Sequence, residues 1–171
     1  MKSKIICIVG PSGSGKTTLA NIASKELKIP TLVSYTTRPK REGEINGVDH
    51  WFVTKEQKPS KSEMLAYTKF GDYEYWASTS QIPADKPIIY VIDEKGLMML
   101  MEEWGDKYEI DSILIKRDKK LLIETVGKER VKRDNNRVKI DENSYDAVIT
   151  NNGSLIEFLQ HGVQTIELLI D

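Results

Sequence analysis

Gly10-Pro11-Ser12-Gly13-Ser14-Gly15-Lys16-Thr17 decides the fold, because it fits the spacing G-x-x-x-x-G-K-[ST] and sits where that spacing has a mechanism. Before it, Lys4–Val9 is short, apolar and β-branched, the signature of a buried parallel strand. After it, Thr17–Lys28 places Leu19, Ile22, Ala23 and Leu27 on one helical face, and Pro30 closes the segment. A strand running through glycines into a helix is a phosphate cradle. Without Cβ atoms the backbone curls so that successive N–H groups point inward, and the helix N-terminus adds its positive dipole end. Gly10, Ser12, Gly13, Ser14, Gly15, Lys16, Thr17 and Thr18 are therefore the expected nucleotide-binding residues. Lys16 is expected to reach the β- and γ-phosphates of ATP, and the Thr17 hydroxyl to ligate Mg²⁺.

Outward from this loop, strands and helices alternate. Ile88–Ile92, Ile113–Ile115 and Ala147–Ile149 read as further buried strands, with helical segments over Glu94–Trp104 and Lys119–Val138. Ser154-Leu155-Ile156-Glu157 is a capping box that opens the last helix. The pattern implies an α/β fold, a P-loop NTPase-type parallel sheet covered by helices on both faces. Residues Tyr35–Lys86 break the rhythm with Gly, Tyr, Trp and Thr, and read as a small, partly β insertion closing over a site. The expected organisation is one domain, with a core of 1–34 and 87–171, an insertion of 35–86 and a short lid at about 117–137.

The chain has 171 residues and a net charge of −1, from 25 Lys+Arg and 26 Asp+Glu. With 39% hydrophobic residues and a mean hydropathy of −0.42, it fits neither a membrane protein nor a disordered tail. No apolar run approaches a bilayer crossing or an export signal, and the single Cys7 argues for a reducing, cytoplasmic setting. The balanced charge excludes a broad nucleic-acid-binding face. It hides local concentration: Lys116–Lys139 carries ten Lys/Arg against four acids, a net +6.

Ser34-Tyr35-Thr36-Thr37-Arg38-Pro39-Lys40-Arg41-Glu42-Gly43-Glu44, continuing into Asn46-Gly47-Val48-Asp49-His50-Trp51-Phe52-Val53, resembles, together with the phosphate loop, the guanylate kinase family. The resemblance implies a parallel core sheet, a nucleoside-monophosphate-binding insertion, a mobile lid, and transfer of the ATP γ-phosphate to GMP or dGMP. It implies acceptor-phosphate roles for Arg38, Arg41 and Tyr75, a guanine contact for Ser34, and a place near the base and metal for Asp93. His50 stands where the family usually has a tyrosine and can still donate to a phosphate. Arg130 matches the family's arginine after the lid, with Arg133 or Arg137 assisting, and Asn151 matches its adenine-proximal asparagine. Guanidinium forks suit a phosphate dianion, which makes Arg38 and Arg41 poor candidates for replacement by Lys.

The base end departs from the family. Ala66 stands where an acidic residue accepts hydrogen bonds from guanine, Ala77 where a small polar residue follows the tyrosine, and Val91 where the first of two carboxylates precedes the helix. Ser78 is the neighbour able to stand in for Ala77, and Glu63 and Glu74 are the acids nearest to supply the missing carboxylate. Two alternatives to a GMP kinase stay open: a P-loop kinase or ATPase with another phosphorylated acceptor, and a non-catalytic guanylate-kinase-like binding module.

Overall fold

The structure, a computed structural model, describes residues 2–171. Its core is a five-stranded parallel sheet in the order β2-β7-β1-β8-β9. The strands are β1 (Lys4–Val9), β2 (Thr31–Leu32), β7 (Ile88–Val91), β8 (Glu109–Lys116) and β9 (Ala147–Thr150). β1 lies at the centre, in register with β7 through Ile5↔Ile88 and with β8 through Ile8↔Ile113. A strand buried on both faces must be apolar throughout, and Ile5–Val9 are all fully buried.

Strand alternation sorts these residues into two cores. Ile6, Ile8, Ile89, Ile113 and Ile115 face α1 (Lys16–Leu27) and α5 (Leu155–Ile170). Ile5, Cys7, Val9, Ile88, Tyr90 and Ile92 face the opposite way, toward α2 (Glu94–Trp104). Helices thus cover both faces, as the alternating pattern predicts. β8 runs well beyond the predicted Ile113–Ile115 because Glu109 and Asp111 pair with β1 at the polar start of the sheet.

The insertion forms a second, four-stranded sheet in the order β4-β3-β6-β5. It comprises β3 (Tyr35–Thr36), β4 (Trp51–Phe52), β5 (Met64–Phe70) and β6 (Tyr73–Ser78). Leu65, Ala66 and Ala77 join the core on the α2 side, so this sheet is anchored on the body of the protein by buried apolar contact.

Lys119–Val138 is not one helix. Gly127 (φ 84°) ends α3 (Lys119–Val126) and starts α4 (Lys128–Asp134), and residues 135–141 run without regular structure. A glycine in that conformation stops a helix that its neighbours would continue. At α5, the Ser154 hydroxyl accepts the Glu157 N–H at 3.4 Å, which is the first half of the expected capping box. Among the described residues, no helix is long and apolar enough to cross a membrane.

The α1–α5 contact sets a sharp steric limit. A Cβ added at Gly162 would lie 2.4 and 2.8 Å from the two methyl carbons of fully buried Leu19. Gly162→Val should therefore destabilise the fold by about 1–3 kcal/mol through overpacking. Gly153→Ala, where an added Cβ meets nothing within 4 Å, should stay within about 0.5 kcal/mol. Urea unfolding of both variants checks the contrast, and equal stabilities would contradict this packing.

Candidate active site

The phosphate loop joins β1 to α1, and the surrounding elements pin it from outside. Asn151, at the end of β9, donates its side-chain amide to the Ser14 carbonyl at 2.9 Å. Arg117, after β8, donates to the Gly13 carbonyl at 2.9 Å. The Lys16 ammonium and the Ser14 N–H both reach the Pro11 carbonyl, at 2.8 and 3.2 Å. With its carbonyls held by these donors, the loop keeps the N–H groups at the start of α1 for a ligand. No side chain caps that helix. Gly10 and Gly15 are required by crowding as well as by positive φ. Added Cβ atoms would lie 2.6 Å from the Ile115 carbonyl oxygen and 2.9 Å from the Asn151 amide.

The expected loop residues divide by what they can offer. Gly13 through Thr18 hold the cradle, with Thr17 and Thr18 exposed at its mouth. The Ser14 hydroxyl is sealed beneath the loop without a hydrogen-bond partner, so only its backbone can meet a ligand. The Ser12 N–H is already engaged, donating to an Asp134 carboxylate oxygen at 2.8 Å. Asn151 is 6% exposed, and its side-chain amide supports the loop through the Ser14 carbonyl.

A cleft of about 500 Å³ opens beside the loop, between the core and the insertion sheet. Ser12 and Lys16 line one side, and Arg38, Arg41, His50 and Tyr75 line it from the insertion. Arg38, 7% exposed, is held by Glu44 through two hydrogen bonds of 2.9 and 2.7 Å, and donates to the Pro39 carbonyl at 2.8 Å. Its five N–H donors allow this clamp and still leave an edge free. Glu44 also accepts the Arg41 N–H at 2.7 Å, and the Arg38 guanidinium holds its carboxyl down at about 2. The Arg41 side chain is exposed.

Ser34 and His50 bond one another, Oγ to Nδ1 at 2.9 Å. Burial, reinforced by the Arg38 charge, pushes the His50 pKa below its ordinary value, which keeps the imidazole neutral near pH 7. The Tyr75 ring stands edge-on to His50 at 5.9 Å. Asp93 caps α2, accepting the Gly96 N–H at 2.7 Å, and lines the cleft.

Several expected residues are placed elsewhere. Ser78 caps a 3-10 turn, with its hydroxyl engaged by Ser80, and does not line the cleft. Arg130 is exposed on α4 and likewise lies outside the lining, whereas Arg133 belongs to it. The acids nearest the missing carboxylate face away. Glu74 is tied to Lys58 at 2.7 Å and to Tyr67 at 2.6 Å, and Glu63 accepts from Ser60. Ala66 lines the cleft at a bulge in β5 with φ 51°, a backbone state rare outside glycine.

Sequence reasoning under-reads the connector after α4. Arg137 donates to Glu94 at 2.7 Å and lies 3.7 Å from Asp134, which joins this connector to the start of α2 across the cleft. Burial first, then the Arg137 charge, lowers the Lys16 pKa to about 8, against the opposing pull of Asp134 and Glu94. The sequence names Arg137 only as an assistant to Arg130, and the +6 charge of this segment does not say which arginine turns inward.

Comparison with known proteins bears on this arrangement. The family model described as guanylate kinase matches residues 2–164. The guanylate kinase of Malacoplasma penetrans is 33% identical over 88% of this chain and 86% of its own length. That of Mycoplasmopsis pulmonis is 34% identical over 67% of this chain and 63% of its own length. Among solved structures, the guanylate kinase from Anaplasma phagocytophilum superposes over 99% of this chain and 85% of its own, with a TM-score of 0.72 at 22% identity. That likeness speaks for the fold. The sequence matches, on a chain with an intact phosphate loop and acceptor insertion, go further: the chain belongs to the guanylate kinase family of phosphotransferases.

Proposed function

We propose that the protein transfers the γ-phosphoryl group of ATP to the phosphate of a nucleoside monophosphate, with GMP and dGMP the acceptors the family favours. One observation carries this reading. The lysine of the phosphate loop and the two arginines of the insertion line a single cleft, so cations for a donor and for an acceptor phosphate face a common space.

The chemistry asks little covalent work of the protein. The bond from the γ-phosphorus to the β–γ bridging oxygen breaks, and a bond to an acceptor phosphate oxygen forms, with catalysis by positioning and charge. Lys16 stabilises negative charge on the donor side. Arg38 and Arg41 hold the acceptor dianion, joined by the Tyr75 hydroxyl and a neutral His50. Arg133 and Arg137 bring charge from the lid side.

A Mg²⁺ ion accompanying the nucleotide would be held by Thr17 and Asp93 and would offset phosphate charge. The Thr17 hydroxyl and the Asp93 carboxylate are hard oxygen donors of the kind Mg²⁺ takes alongside substrate phosphates, and only one Asp93 oxygen is used by the helix cap. A cytoplasmic setting suits the one buried thiol, Cys7. The intact Lys16 and Thr17 weigh against a binding module that has lost nucleotide chemistry. Ala66 and Val91 in the cleft favour, as a second reading, the same reaction with relaxed or altered base preference.

An ATP-coupled assay across ribo- and deoxynucleoside monophosphates tests the proposal directly, and turnover of none of them would sink it. Arg38→Ala should raise the acceptor KM at least about tenfold, as loss of a charge-assisted bidentate contact does, and leave the Kd for ATP within about twofold. Equal losses on both substrates would contradict the separate roles.

Lys16 adds a pH signature. Its folded pKa of about 8 lies below the ordinary lysine value, so the free enzyme loses this charge as pH rises through 8, whereas bound triphosphate favours the protonated form. ATP affinity should fall with rising pH in that window, and binding near pH 8 should take up a proton. Calorimetry in buffers of different ionisation enthalpy measures the uptake, which Lys16→Met should abolish.

A further inference from the structure

Tyr90 is the third residue of β7, in register with Cys7 on one side and Leu32 on the other. Alternation sends its ring, with Ile88 and Ile92, into the core on the α2 side, where the residue is 4% exposed. Yet Tyr90 also lines the cleft, and its hydroxyl hydrogen-bonds to no described residue. The ring is held by the core while the O–H is left at the cleft wall, free to bond what enters the cleft.

Thr68 repeats the arrangement. It is 8% exposed, lines the same cleft, and stands directly opposite Tyr75 in the β5–β6 ladder, which puts both side chains on one face of that sheet. Its hydroxyl likewise has no described partner. Around these two groups the cleft offers the methyl groups of Ala66 and Val91, while Ser34 and His50 satisfy one another. Two hydroxyls unpaired within the protein and open to the same cleft describe the complement of a ligand.

We propose that the Tyr90 hydroxyl, with that of Thr68, reads the base of the acceptor, so that the base is held through neutral hydroxyls in place of a buried carboxylate. The inference rests on the nucleoside monophosphate reading given above and specifies its base end. Burial, with the neighbouring Cys7 and Asp93, raises the Tyr90 pKa, so the phenol stays protonated and can both donate and accept. A hydroxyl pairs with a ring carbonyl or an exocyclic amine alike, whereas a carboxylate only accepts and binds donors more strongly. The site should therefore discriminate weakly on the 2-amino group, accepting IMP within about tenfold of GMP in kcat/KM.

Tyr90→Phe is the decisive variant, because it keeps the ring in the core and removes only the oxygen. Its KM for GMP should rise about fivefold, the worth of a neutral hydrogen bond. Ribose 5-phosphate, which offers the same phosphate without a base, should inhibit wild type and variant with Ki values within about twofold of each other. A KM unchanged by Tyr90→Phe would overturn the inference. So would an equal loss on ribose 5-phosphate, which would mean that Tyr90 shapes the cleft without reading the base, or a wild-type preference for GMP over IMP above about a thousandfold. A wild-type protein that phosphorylates no nucleoside monophosphate overturns the underlying reading instead, and the same assay reports it separately.

Discussion

The outward grip on the phosphate loop is the constraint on which the rest of the structure depends. A peptide unit has two polar ends, and turning the N–H toward a ligand turns the carbonyl toward the protein, where it must be paired. Here the pairing comes from the ends of the core strands: Asn151 after β9 takes the Ser14 carbonyl, and Arg117 after β8 takes that of Gly13. β8 and β9 therefore run two residues past the Val9↔Leu114↔Val148 level at which β1 ends, to Lys116 and Thr150, and so bring Arg117 and Asn151 up to the loop. The close approach leaves no room for side chains at Gly10 or Gly15, so sheet topology and the glycine pattern of the loop express a single requirement.

The acceptor side follows from a different packing demand. The insertion sheet could not hold its own shape as a free flap, since two of its four strands, β3 and β4, are only two residues long. It gains a core by placing Leu65, Ala66 and Ala77 against the α2 side of the main sheet, and the stacked rings of Tyr35 and Trp76, 5.8 Å apart, stiffen its middle. Arg38 is then clamped by Glu44 within six residues of chain, so its orientation is set before any phosphate arrives. Preorganisation of this kind reduces the ordering cost of binding and leaves more of the contact energy for affinity.

How legible this was in the sequence depended on how local the cause was. The phosphate loop, the flanking strand and helix, and α2 follow from patterns within about ten residues. The Asp93 cap is likewise a local motif. The split of Lys119–Val138 at Gly127 was readable in principle, since one glycine amid helix formers is a stop signal. β5 was not, because its bulge at Ala66 breaks the alternation that marks a strand. Asn151 illustrates a deeper limit. An asparagine after a strand shows nothing in the sequence of the loop it holds, and only the Ser14 carbonyl 137 residues away reveals that support. Tyr90 was invisible for the converse reason: in sequence it is one apolar position of a buried strand, and only the cavity beside it distinguishes its hydroxyl from its ring.

Charge ties the two sides of the cleft together. The chain is nearly neutral overall, yet Lys16, Arg38, Arg41, Arg133 and Arg137 line one cavity. Such a cluster repels itself, and three carboxylates temper it locally: Glu44 on Arg38, Glu94 on Arg137, and Asp134 near Arg133, Arg137 and the Ser12 N–H. The tempering is incomplete, because Lys16 still sits at about 8, lowered by burial and by the Arg137 charge. An arginine paired on one edge keeps donors for a second anion, while a half-compensated lysine gains most from one. The free site is thus stable enough to fold around its carboxylates and still short of negative charge where phosphates would lie. Removing Glu94 or Asp134 would not make the cleft a better phosphate site; it would deepen the repulsion at Lys16 and release the arginine each one aims.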